Sequence, residues 1–331
     1  MSKVRWGLLS TANINRRLIP AIRNSRRGQL VAVASRNRAK SVAYATQWEI
    51  PRAFDSYEAM LQSDEIDAVY ISLPNHLHAE WAVKAMQNGK HVLGEKPFAI
   101  SLAEVDEMIG TAQATGRVLT EAFMYRHHPQ MKLVGDWVRS GRIGEIKLVR
   151  ATFNFQMANP DNVRLVPEWG GGCLWDVGIY PISFAQYVLG GRPERVIGEQ
   201  WLGPTGVDEA FAGQMHYTGG RVAQISSSFC SPFHTSAEII GTAGRLTLNR
   251  PFVGVVEEGE MGWYPAGGPP EQLTFPKPEL YAGEVSDMHD AILEGKPPYL
   301  TLAETRNHVR TALALYESAT AGQALSLSDG G

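Results

Sequence analysis

The predicted fold depends first on the stretch Lys90-His91-Val92-Leu93-Gly94-Glu95-Lys96-Pro97. A short apolar run bounded by glycine and proline is typical of a buried strand in a parallel sheet. Ligands of such sheets bind beyond the carboxyl ends of the strands, which places Lys96 at the mouth of a cleft. There the ammonium group can hydrogen-bond a substrate oxygen or lower the pKa of a neighbouring acid. The alternative is a surface lysine at the end of a strand.

Strand and helix patterns alternate around this stretch through the first third of the chain. Apolar runs predict strands at 3–9, 30–34, 66–72, 90–93 and 117–120. Helical patterns follow the first strand to about residue 23 and recur at 39–46, 76–88 and 102–115. This order is the signature of an α/β domain with a doubly wound parallel sheet, which we predict over residues 1–121.

The pattern changes after about residue 145. Strands are predicted at 146–155, 196–201, 210–217, 221–229, 237–241 and 245–248, and helices at 176–189, 280–293 and 302–320. The tract from Glu257 to Pro278 is rich in Gly, Pro and Glu, which predicts a loop. We therefore expect a C-terminal α+β domain, residues 122–331, built on an open and mostly antiparallel sheet.

Composition limits the class of protein. The chain has 331 residues, of which 44% are hydrophobic and 20% are charged, as expected for a soluble globular protein. A formal charge of −3 argues against nucleic acid or an anionic membrane as the main partner. Cys173 and Cys230 form no CxxC pattern, which suits a reducing compartment and indicates no metal site. Without a signal peptide or a long apolar stretch, the expected location is the cytoplasm.

The turn after the first strand stands where a dinucleotide fingerprint would lie. Ser10, Ala12 and Asn15 occupy the glycine positions of G-x-G-x-x-G, so the match is poor. Small residues at 10 and 12 still allow a backbone to approach a pyrophosphate at the helix N-terminus. The alternative is an ordinary strand-to-helix turn with a Ser or Asn cap.

The end of the second strand is more informative about the cofactor. It reads Ser35-Arg36-Asn37-Arg38, with two arginines and no carboxylate where NAD proteins bind the ribose 2′-hydroxyl. Guanidinium groups suit bidentate contacts with a 2′-phosphate, which favours NADP(H) over NAD(H). The alternative is a solvated basic loop.

The third strand ends in Ser72-Leu73-Pro74-Asn75-His76-Leu77-His78. Leu73 and Pro74 are expected to flank the cofactor, and Asn75 to cap the following helix. We predict no metal site here, because the spacing of the two histidines does not suit one helix face.

A second informative stretch begins at Gly170-Gly171-Gly172, which suggests a loop that a ligand approaches closely. If Asp176 starts a helix, Asp176 and Tyr180 share one face. A nearby cation would make the Tyr180 phenol acidic enough for proton transfer. The alternative is a core tyrosine and a helix-capping aspartate. Nearby aromatic residues could stack on a sugar ring or an aromatic diol, or belong to the core.

Together these stretches resemble the glucose–fructose oxidoreductase / inositol dehydrogenase (Gfo/Idh/MocA) family over nearly the whole chain. The resemblance is carried by the turn at 10–15, by Gly89-Lys90-His91-Val92 leading to Glu95-Lys96-Pro97, and by the glycine run with Asp176 and Tyr180. Many members carry His where this chain has Tyr180. The tyrosine is similar to the branch of dimeric dihydrodiol dehydrogenase, NADP-dependent D-xylose dehydrogenase and glucose–fructose oxidoreductase.

The resemblance implies a Rossmann domain for NADP(H) and a substrate-binding domain whose sheet joins a homodimer or homotetramer. It also implies a cis Lys96–Pro97 bond. Tyr180 is the predicted proton donor and acceptor, Lys96 the cation beside it, and Asp176 the residue that orients substrate hydroxyls. The other candidate substrate-binding residues are Arg126, Phe155, Trp169 and Trp175. The candidate cofactor-binding residues are Ser10, Thr11, Ala12, Asn13, Ile14, Ser35, Arg36, Asn37, Arg38, Leu73, Pro74, Asn75, His78, Glu95 and Lys96.

The predicted activity is NADP(H)-dependent hydride transfer at a CH–OH or C=O carbon of an aldose or related cyclic polyol. No metal is predicted to take part. Two alternatives remain at this point: oxidation of trans-dihydrodiols by the same residues, and an NADP(H)-sensing protein without turnover. The Lys96, Asp176 and Tyr180 set argues against the second alternative.

Overall fold

The structure is a computed structural model that describes residues 3–253, 259–275 and 279–327. The first elements in chain order are β1 (Val4–Leu9), α1 (Asn15–Asn24), β2 (Gly28–Ala34), α2 (Arg38–Gln47), β3 (Arg52–Phe54), α3 (Tyr57–Leu61), β4 (Ala68–Ile71), α4 (His78–Gln87), β5 (His91–Glu95), α5 (Leu102–Thr115) and β6 (Leu119–Ala122). The later elements are α6 (Pro129–Arg139), β7 (Ile146–Gln156), α7 (Ile179–Leu189), β8 (Arg195–Leu202), β9 (Asp208–Tyr217), β10 (Arg221–Ser228), β11 (Cys230–Gly241), β12 (Gly244–Asn249), β13 (Gly259–Pro265), β14 (Glu271–Phe275), α8 (Ala282–Glu294), α9 (Leu302–Ala321) and β15 (Leu325–Ser326).

Within the described residues, the first sheet has six parallel strands in the order β3-β2-β1-β4-β5-β6. β4 is buried along its whole length, as expected for a central strand covered on both faces. The strand order reverses between β1 and β4, and ligands of doubly wound sheets bind at that point. The predicted parallel sheet is confirmed. The sequence pattern missed β3 and α3, because elements of three and five residues are too short to show a period.

The second sheet, counted over the same residues, has nine strands in the order β14-β13-β12-β11-β7-β10-β9-β8-β15. Neighbouring strands are antiparallel except β7 and β10, which are parallel. The predicted open, mostly antiparallel sheet is therefore confirmed. Helix α7 is buried on nearly all sides, which explains its continuous apolar sequence.

The loop predicted from Glu257 to Pro278 is wrong for its described part, which forms the hairpin of β13 and β14. Residues 257–258 and 276–278 of that prediction lie outside the described residues. Met261 and Trp263 alternate along β13 and are buried, and the Trp263 ring contacts Trp137 at 5.4 Å between centroids. Glycine and proline in the surrounding sequence concealed this short alternation. Helix α6 was also not predicted.

The chain divides into two compact units. Of the described residues, the first unit contains those from 3 to 124 together with Tyr281–Thr305, and the second contains those from 125 to 280 and from 306 to 327. The sequence pattern assigned all of 122–331 to one domain, whereas residues 281–305 group with the first sheet. The reason is packing of α8: the Trp6 indole N–H donates to His289 Nε2 at 3.0 Å, and Arg27 pairs with Asp290 at 2.5 Å.

Among the described residues, no helix is long and apolar enough to cross a membrane.

Candidate active site

Ser10, Asn15 and Ser72 form a buried hydrogen-bond network that joins the turn after β1 to the end of β4. Asn15 Nδ2 donates to the Ser10 carbonyl oxygen at 2.8 Å, and Ser72 Oγ donates to Asn15 Oδ1 at 2.6 Å. Ser10 Oγ lies 2.7 Å from Ser72 Oγ and accepts the Ala12 N–H at 3.0 Å. Side chains thus hold this turn in place of the fingerprint glycines.

Helix α1 begins directly after this turn without a side-chain cap. Its N-cap residue is Ile14, which makes no side-chain hydrogen bond, and its first turn contains no acidic residue. The N–H groups of Asn15, Arg16 and Arg17 donate to carbonyl oxygens of residues 12–14, and the N-terminus of the helix carries a partial positive charge. The predicted cofactor residues 11–14 lie here, half-buried except for the exposed Asn13. The turn therefore fits an anionic group such as a pyrophosphate.

The segment after β2 combines two loop-building residues with two exposed arginines. Ser35 Oγ accepts the Asn37 N–H at 3.2 Å, and Asn37 Oδ1 caps α2 by accepting a backbone N–H at 3.1 Å. The Arg36 and Arg38 side chains are exposed, and Arg38 lies 3.5 Å from the exposed Asp55. Two guanidinium groups beyond the carboxyl end of β2 fit a phosphate on the adenosine ribose. Ser35 and Asn37 shape the loop.

Leu73, Pro74 and Asn75 follow the carboxyl end of β4. Leu73 is 9% exposed and Pro74 is half-buried. Asn75 is the first residue of a 3-10 turn, Asn75–Leu77, and the N-cap of α4 is Leu77. The prediction that Asn75 caps the helix is wrong, because the intervening 3-10 turn moves the N-cap of α4 two residues on, to Leu77.

His78 was predicted to bind the cofactor, and the structure places it in a different role. The side chain is 1% exposed, with Nδ1 2.8 Å from the Pro97 carbonyl oxygen and Nε2 2.8 Å from the Leu73 carbonyl oxygen. Burial lowers the pKa of the imidazole. Since both ring nitrogens contact backbone carbonyls, His78 connects the segments after β4 and β5 and leaves no nitrogen for a ligand.

Glu95 ends β5 and Lys96 follows it, and the Lys96–Pro97 peptide bond is cis, as the family resemblance implied. The Tyr70 hydroxyl donates to Glu95 Oε1, and the Lys96 backbone N–H donates to Glu95 Oε2 at 3.2 Å. Burial raises the pKa of Tyr70 well above its usual value, so the phenol stays a donor. The Glu95 carboxylate is therefore held from two sides, and Lys96 follows it as a half-buried side chain.

In the second unit, protein atoms surround the run Gly170-Gly171-Gly172. The Gly171 N–H donates to the Val166 carbonyl at 3.0 Å, and the Gly172 N–H donates to the Arg164 carbonyl at 2.9 Å. A Cβ on Gly171 would lie 2.7 Å from both carbonyl oxygens, and one on Gly172 would collide with the Asp208 carboxylate. We predicted close approach of a ligand, whereas close approach of the protein itself requires glycine at 171 and 172.

Asp176 lies inside a π-helical turn, Leu174–Gly178, and the α-helix begins only at Ile179. The prediction that Asp176 starts an α-helix is wrong, so the four-residue spacing to Tyr180 does not by itself place both on one face. Packing explains the glycine that ends the turn, because a Cβ on Gly178 would lie 2.8 Å from Ser227 Oγ. Single π-helical turns are frequent at functional sites.

The Asp176 side chain is 10% exposed and pairs with a residue that we did not predict. Arg164 Nε lies 2.6 Å from Asp176 Oδ2, and the Arg164 side chain is 42% exposed. Arg164 stands on a 3-10 turn, Val163–Leu165, which Asn162 caps. Nothing in the local sequence marks this arginine, because the pair forms only when the glycine run folds back on the preceding loop.

The Tyr180 side chain is 4% exposed and is enclosed by aromatic rings. The ring centroids of Tyr125, Phe153 and Phe252 lie 5.7, 5.4 and 5.8 Å from that of Tyr180. Such contacts fix the orientation of the phenol. Tyr180 is thus a core residue, as the structural interpretation of the sequence held, and this burial is compatible with a catalytic hydroxyl at its end.

The remaining predicted substrate residues differ in accessibility. Trp169 is 40% exposed, and Phe155 is half-buried with its ring 5.1 Å from Phe229. Trp175 is 6% exposed, and Arg126 is 2% exposed with its guanidinium carbon 3.9 Å from the Tyr187 ring centre. Trp169 and Phe155 have surface for a ligand, whereas Trp175 and Arg126 pack inside the second unit.

Among the described residues there is no group of three or more His, Cys, Asp or Glu side chains that could hold a metal ion.

Comparison with known proteins identifies relatives along nearly the whole chain. D-xylose 1-dehydrogenase (NADP(+)) 2 from Haloferax volcanii is 36% identical and covers 97% of this chain and 99% of its own. Trans-1,2-dihydrobenzene-1,2-diol dehydrogenase from Xenopus tropicalis is 29% identical, over 91% of this chain and 93% of its own. A crystal structure of KijD10, a 3-ketoreductase from Actinomadura kijaniata in complex with NADP and TDP-benzene, superposes with a TM-score of 0.90 at 28% identity. It covers 96% of this chain and 98% of its own.

Two family profiles match the chain. Residues 4–123 match the oxidoreductase family with an NAD-binding Rossmann fold, and residues 131–247 match the GFO/IDH/MocA C-terminal domain. The predicted family, fold class and oxidoreductase activity are confirmed. The predicted cofactor, NADP(H), is the one named for the xylose dehydrogenase and bound in the ketoreductase. The chain belongs to the GFO/IDH/MocA family of oxidoreductases.

Proposed function

We propose that the protein is an NADP(H)-dependent oxidoreductase that transfers a hydride at a CH–OH or C=O carbon of an aldose or related cyclic polyol. The observation that carries this proposal is 36% identity to an NADP-dependent D-xylose dehydrogenase over 97% of this chain. The chain's own residues support the cofactor, because the segment directly after β2, residues 35–38, contains Arg36 and Arg38 and no carboxylate.

Three groups of residues would hold NADP(H). The turn at 10–14 and the N-terminus of α1 suit the pyrophosphate, and Arg36 and Arg38 suit the 2′-phosphate. Leu73, Pro74, Glu95 and Lys96 border the carboxyl ends of β4 and β5. When bound, the nicotinamide supplies the hydride acceptor or donor.

We assign Tyr180, Lys96 and Asp176 to the chemistry. In the oxidative direction the Tyr180 oxygen takes the proton of the substrate hydroxyl while the carbon loses its hydride; in reduction the proton returns. Lys96 hydrogen-bonds the substrate oxygen and favours the ionised phenol through its charge. Asp176 accepts hydrogen bonds from substrate hydroxyls, and Arg164 holds its carboxylate in place at 2.6 Å. Trp169 and Phe155 offer rings for stacking on the sugar.

The first test is reduction of NADP+ across a panel of aldoses, inositols and cyclic diols. Tyr180→Phe and Lys96→Ala should each lower kcat by about 100-fold or more, because the first removes the proton carrier and the second removes the cation that assists it. NADPH binding, measured by fluorescence titration, should be retained in both. Near-normal turnover in either variant would refute its assigned role.

Tyr125→Phe is the matched control for the tyrosine. Its ring lies beside Tyr180, and its hydroxyl donates to Ser183 Oγ at 2.9 Å. Loss of that hydrogen bond should cost about 1 kcal/mol of stability and leave kcat within a few-fold of the parent. A loss as large as that of Tyr180→Phe would mean that the cluster, and not the Tyr180 hydroxyl, governs the rate.

A second candidate activity is oxidation of trans-dihydrodiols, which the 29% identical diol dehydrogenase supports. The same residues could perform it, since both reactions remove a hydride and a proton from a secondary alcohol. Paired assays with D-xylose and a trans-dihydrodiol separate the two, and the substrate with the higher kcat/KM decides.

For assembly, we propose a homodimer or homotetramer formed through the nine-stranded sheet. One face of this sheet carries a cross-strand row of largely polar side chains, and the row ends in the exposed Ile197. In sheet order its members are Ile197, Gln214, Gln224, Arg150, Glu238 and Thr247. An open groove of about 460 Å³ lies along its centre. A broad uncovered sheet face of this kind suits self-association around a two-fold axis.

Substitution at the centre of that face tests the assembly. Ser226 is half-buried, and its Oγ donates to Thr152 Oγ1 at 2.8 Å. Ser226→Arg should shift the mass measured by light scattering towards one chain, because it adds bulk and charge to the contact. An unchanged mass with an unchanged unfolding midpoint would place the interface elsewhere.

The cytoplasm remains our proposed location, and it rests on cysteine chemistry. Cys173 is buried and Cys230 is exposed, and both are free thiols. An exposed free thiol suits a reducing compartment. Cell fractionation with an antibody against the chain would test this, and recovery outside the cytoplasm would contradict it.

A further inference from the structure

Asp208, the first residue of β9, is a buried carboxylate that accepts hydrogen bonds from three donors in two separate parts of the second unit. The Tyr316 hydroxyl donates to Oδ1 at 2.7 Å. The Leu174 backbone N–H and the Cys173 thiol donate to Oδ2 at 2.8 and 3.1 Å. The Asp208 side chain is 2% exposed. It therefore connects α9 and β9 to the start of the π-helical turn.

The donors around Asp208 match the ionised carboxylate. Burial raises the pKa of Tyr316 well above its usual value and also raises that of the Cys173 thiol, so both keep their protons and donate. The Leu174 N–H can only donate, and the Tyr316 hydroxyl and Cys173 thiol, which could also accept, both donate to the carboxylate here. Burial raises the pKa of Asp208, while hydrogen bonds from Tyr316, Leu174 and Cys173 oppose that effect. Neutral donors thus stabilise this charge.

The segment that Asp208 holds is the one that carries the proposed substrate-orienting group. Leu174 is the first residue of the π-helical turn, and Asp176 is its third. Gly172 lies against the Asp208 carboxylate so closely that a Cβ would collide with it. The Tyr316 ring contacts the Trp175 ring at 5.7 Å between centroids. Asp208 therefore supports the turn at its backbone, at its preceding glycine and, through Tyr316, at a side chain.

We propose that Asp208 is a positioning residue for the reaction, because its carboxylate fixes the π-helical turn in the conformation that presents Asp176 to the substrate. Arg164 holds the Asp176 carboxylate directly, while Asp208 holds the backbone that carries it. Asp208 touches neither substrate nor cofactor in this role. The proposal rests on the proposed function of Asp176 and deepens it.

The main test is a double-mutant cycle on kcat/KM for the best aldose or diol. Asp208→Asn keeps the shape of the side chain but replaces one carboxylate oxygen with an amide N–H₂. That group cannot accept a hydrogen bond, so one of the hydrogen bonds to the carboxylate is lost. We expect kcat/KM to fall by about 10- to 100-fold, a loss of about 1.4 to 2.8 kcal/mol, with unchanged NADPH affinity. In an Asp176→Ala background the same substitution should change kcat/KM less than two-fold, since Asp208 then has nothing to position.

A readout independent of substrate separates failure of this proposal from failure of the proposed function. Amide hydrogen exchange of residues 172–180 should become at least 10-fold faster in Asp208→Asn, with an unchanged midpoint of global unfolding. If the parent protein turns over no sugar or diol, the proposed function fails, and the exchange result still judges the role of Asp208 in holding the turn.

Three further variants keep the proposal falsifiable. Tyr316→Phe removes one donor of three and should lower kcat/KM by about 3- to 10-fold even if Asp208→Asn does not fold. Cys173→Ser retains a donor and should stay within two-fold of the parent. Glu209→Gln, at the neighbouring position on β9, should do the same. Additive losses from Asp208→Asn and Asp176→Ala, or unchanged exchange and turnover in Asp208→Asn, would overturn the proposal.

Discussion

The turn after β1 and the run Gly170-Gly171-Gly172 are both short segments leading into a helical turn, and they differ in how their backbone is held. The first segment has Ser10, Ala12 and Asn15 where a dinucleotide fingerprint has glycines. The side chains of Ser10 and Asn15 form a buried hydrogen-bond network with Ser72. The second carries glycines, and at 171 and 172 the space of a Cβ is filled by Arg164, Val166 and Asp208 atoms.

This difference shows what a glycine in such a segment indicates about its surroundings. It marks a place where something approaches the backbone closely, and the approaching group can be a ligand or the protein itself. Conversely, a tight turn without glycine is possible when neighbouring side chains supply the hydrogen bonds that hold it. Four predictions test the comparison.

The largest effect is expected for Gly172→Ala. The residue has a φ of +122°, and the new methyl group would collide with Asp208, so strain and overpacking should together cost about 3 kcal/mol or more of unfolding free energy. Denaturant unfolding measures this. Gly110→Ala, in the open interior of α5, is the control and should stabilise by about 0.5–1 kcal/mol. Similar stability of the two variants would break the comparison.

The next effect is expected for Asn15→Ala in the first turn. Its carboxamide is fully buried and bonds both Ser10 and Ser72, so its removal leaves buried groups unpaired at a cost of about 2 kcal/mol. Unfolding of the chain with and without NADPH measures the cost. Asn13→Ala changes an exposed residue of the same turn and should stay within about 0.5 kcal/mol of the parent. An equal loss in both would mean that the network is not what holds the turn.

The third prediction concerns what the segments beside the first turn bind. Arg36→Ala and Arg38→Ala should each weaken NADPH binding by about 10-fold, because a charge-assisted hydrogen bond contributes about 1.5–3 kcal/mol. Affinity for NADH should not change, since it lacks the 2′-phosphate. Arg26→Ala is the charge-matched control, because Arg26 precedes β2 and so lies at the opposite edge of the sheet. Titration of each variant with NADPH and with NADH measures both affinities. An equal loss of NADH affinity would contradict the assignment of the two arginines to the 2′-phosphate.

The smallest effect is expected when a fingerprint glycine is restored. Ser10→Gly removes the hydroxyl that accepts the Ala12 N–H and contacts Ser72, and it adds backbone freedom to the unfolded chain. Ser10 has a φ of +154°, which glycine adopts more readily, so relief of backbone strain offsets part of this loss. Unfolding free energy should therefore fall by less than about 1 kcal/mol. If the glycine instead stabilises the chain and tightens NADPH binding, the hydroxyl network is no substitute for glycine.

Most of the fold could be predicted, because its strands and helices have periods that neighbouring residues reveal. The predicted bounds of α5, Leu102–Thr115, agree with the structure. In the structure Ser101 caps this helix, and Gly116, in the left-handed region, ends it. β13 and β14 were missed because their apolar alternation lies among glycines and prolines. The π-helical turn was missed because an α-helical period does not register one inserted residue.

The residues of the candidate site also divide into those that the sequence indicated and those that it did not. Lys96 and Tyr180 could be proposed from the sequence because their surroundings form contiguous motifs, whereas Arg164 and Asp208 stand in segments without one. His78 was assigned to the cofactor from its position after β4, although two carbonyl oxygens occupy its nitrogens. Such pairings depend on which distant backbone atoms meet a side chain, and local spacing carries no record of them.

The sequence alone determined the parallel sheet, the mostly antiparallel sheet, the absence of a carboxylate after β2 and the family. These follow from side-chain period, composition and short motifs, which are local properties. Only the tertiary structure decided why 171 and 172 are glycines, where α7 begins, and what holds Asp176. Those features depend on contacts such as Cys173 with Asp208 and Tyr316 with Asp208, across 35 and 108 residues of chain. Long-range packing sets them, and no local pattern encodes it.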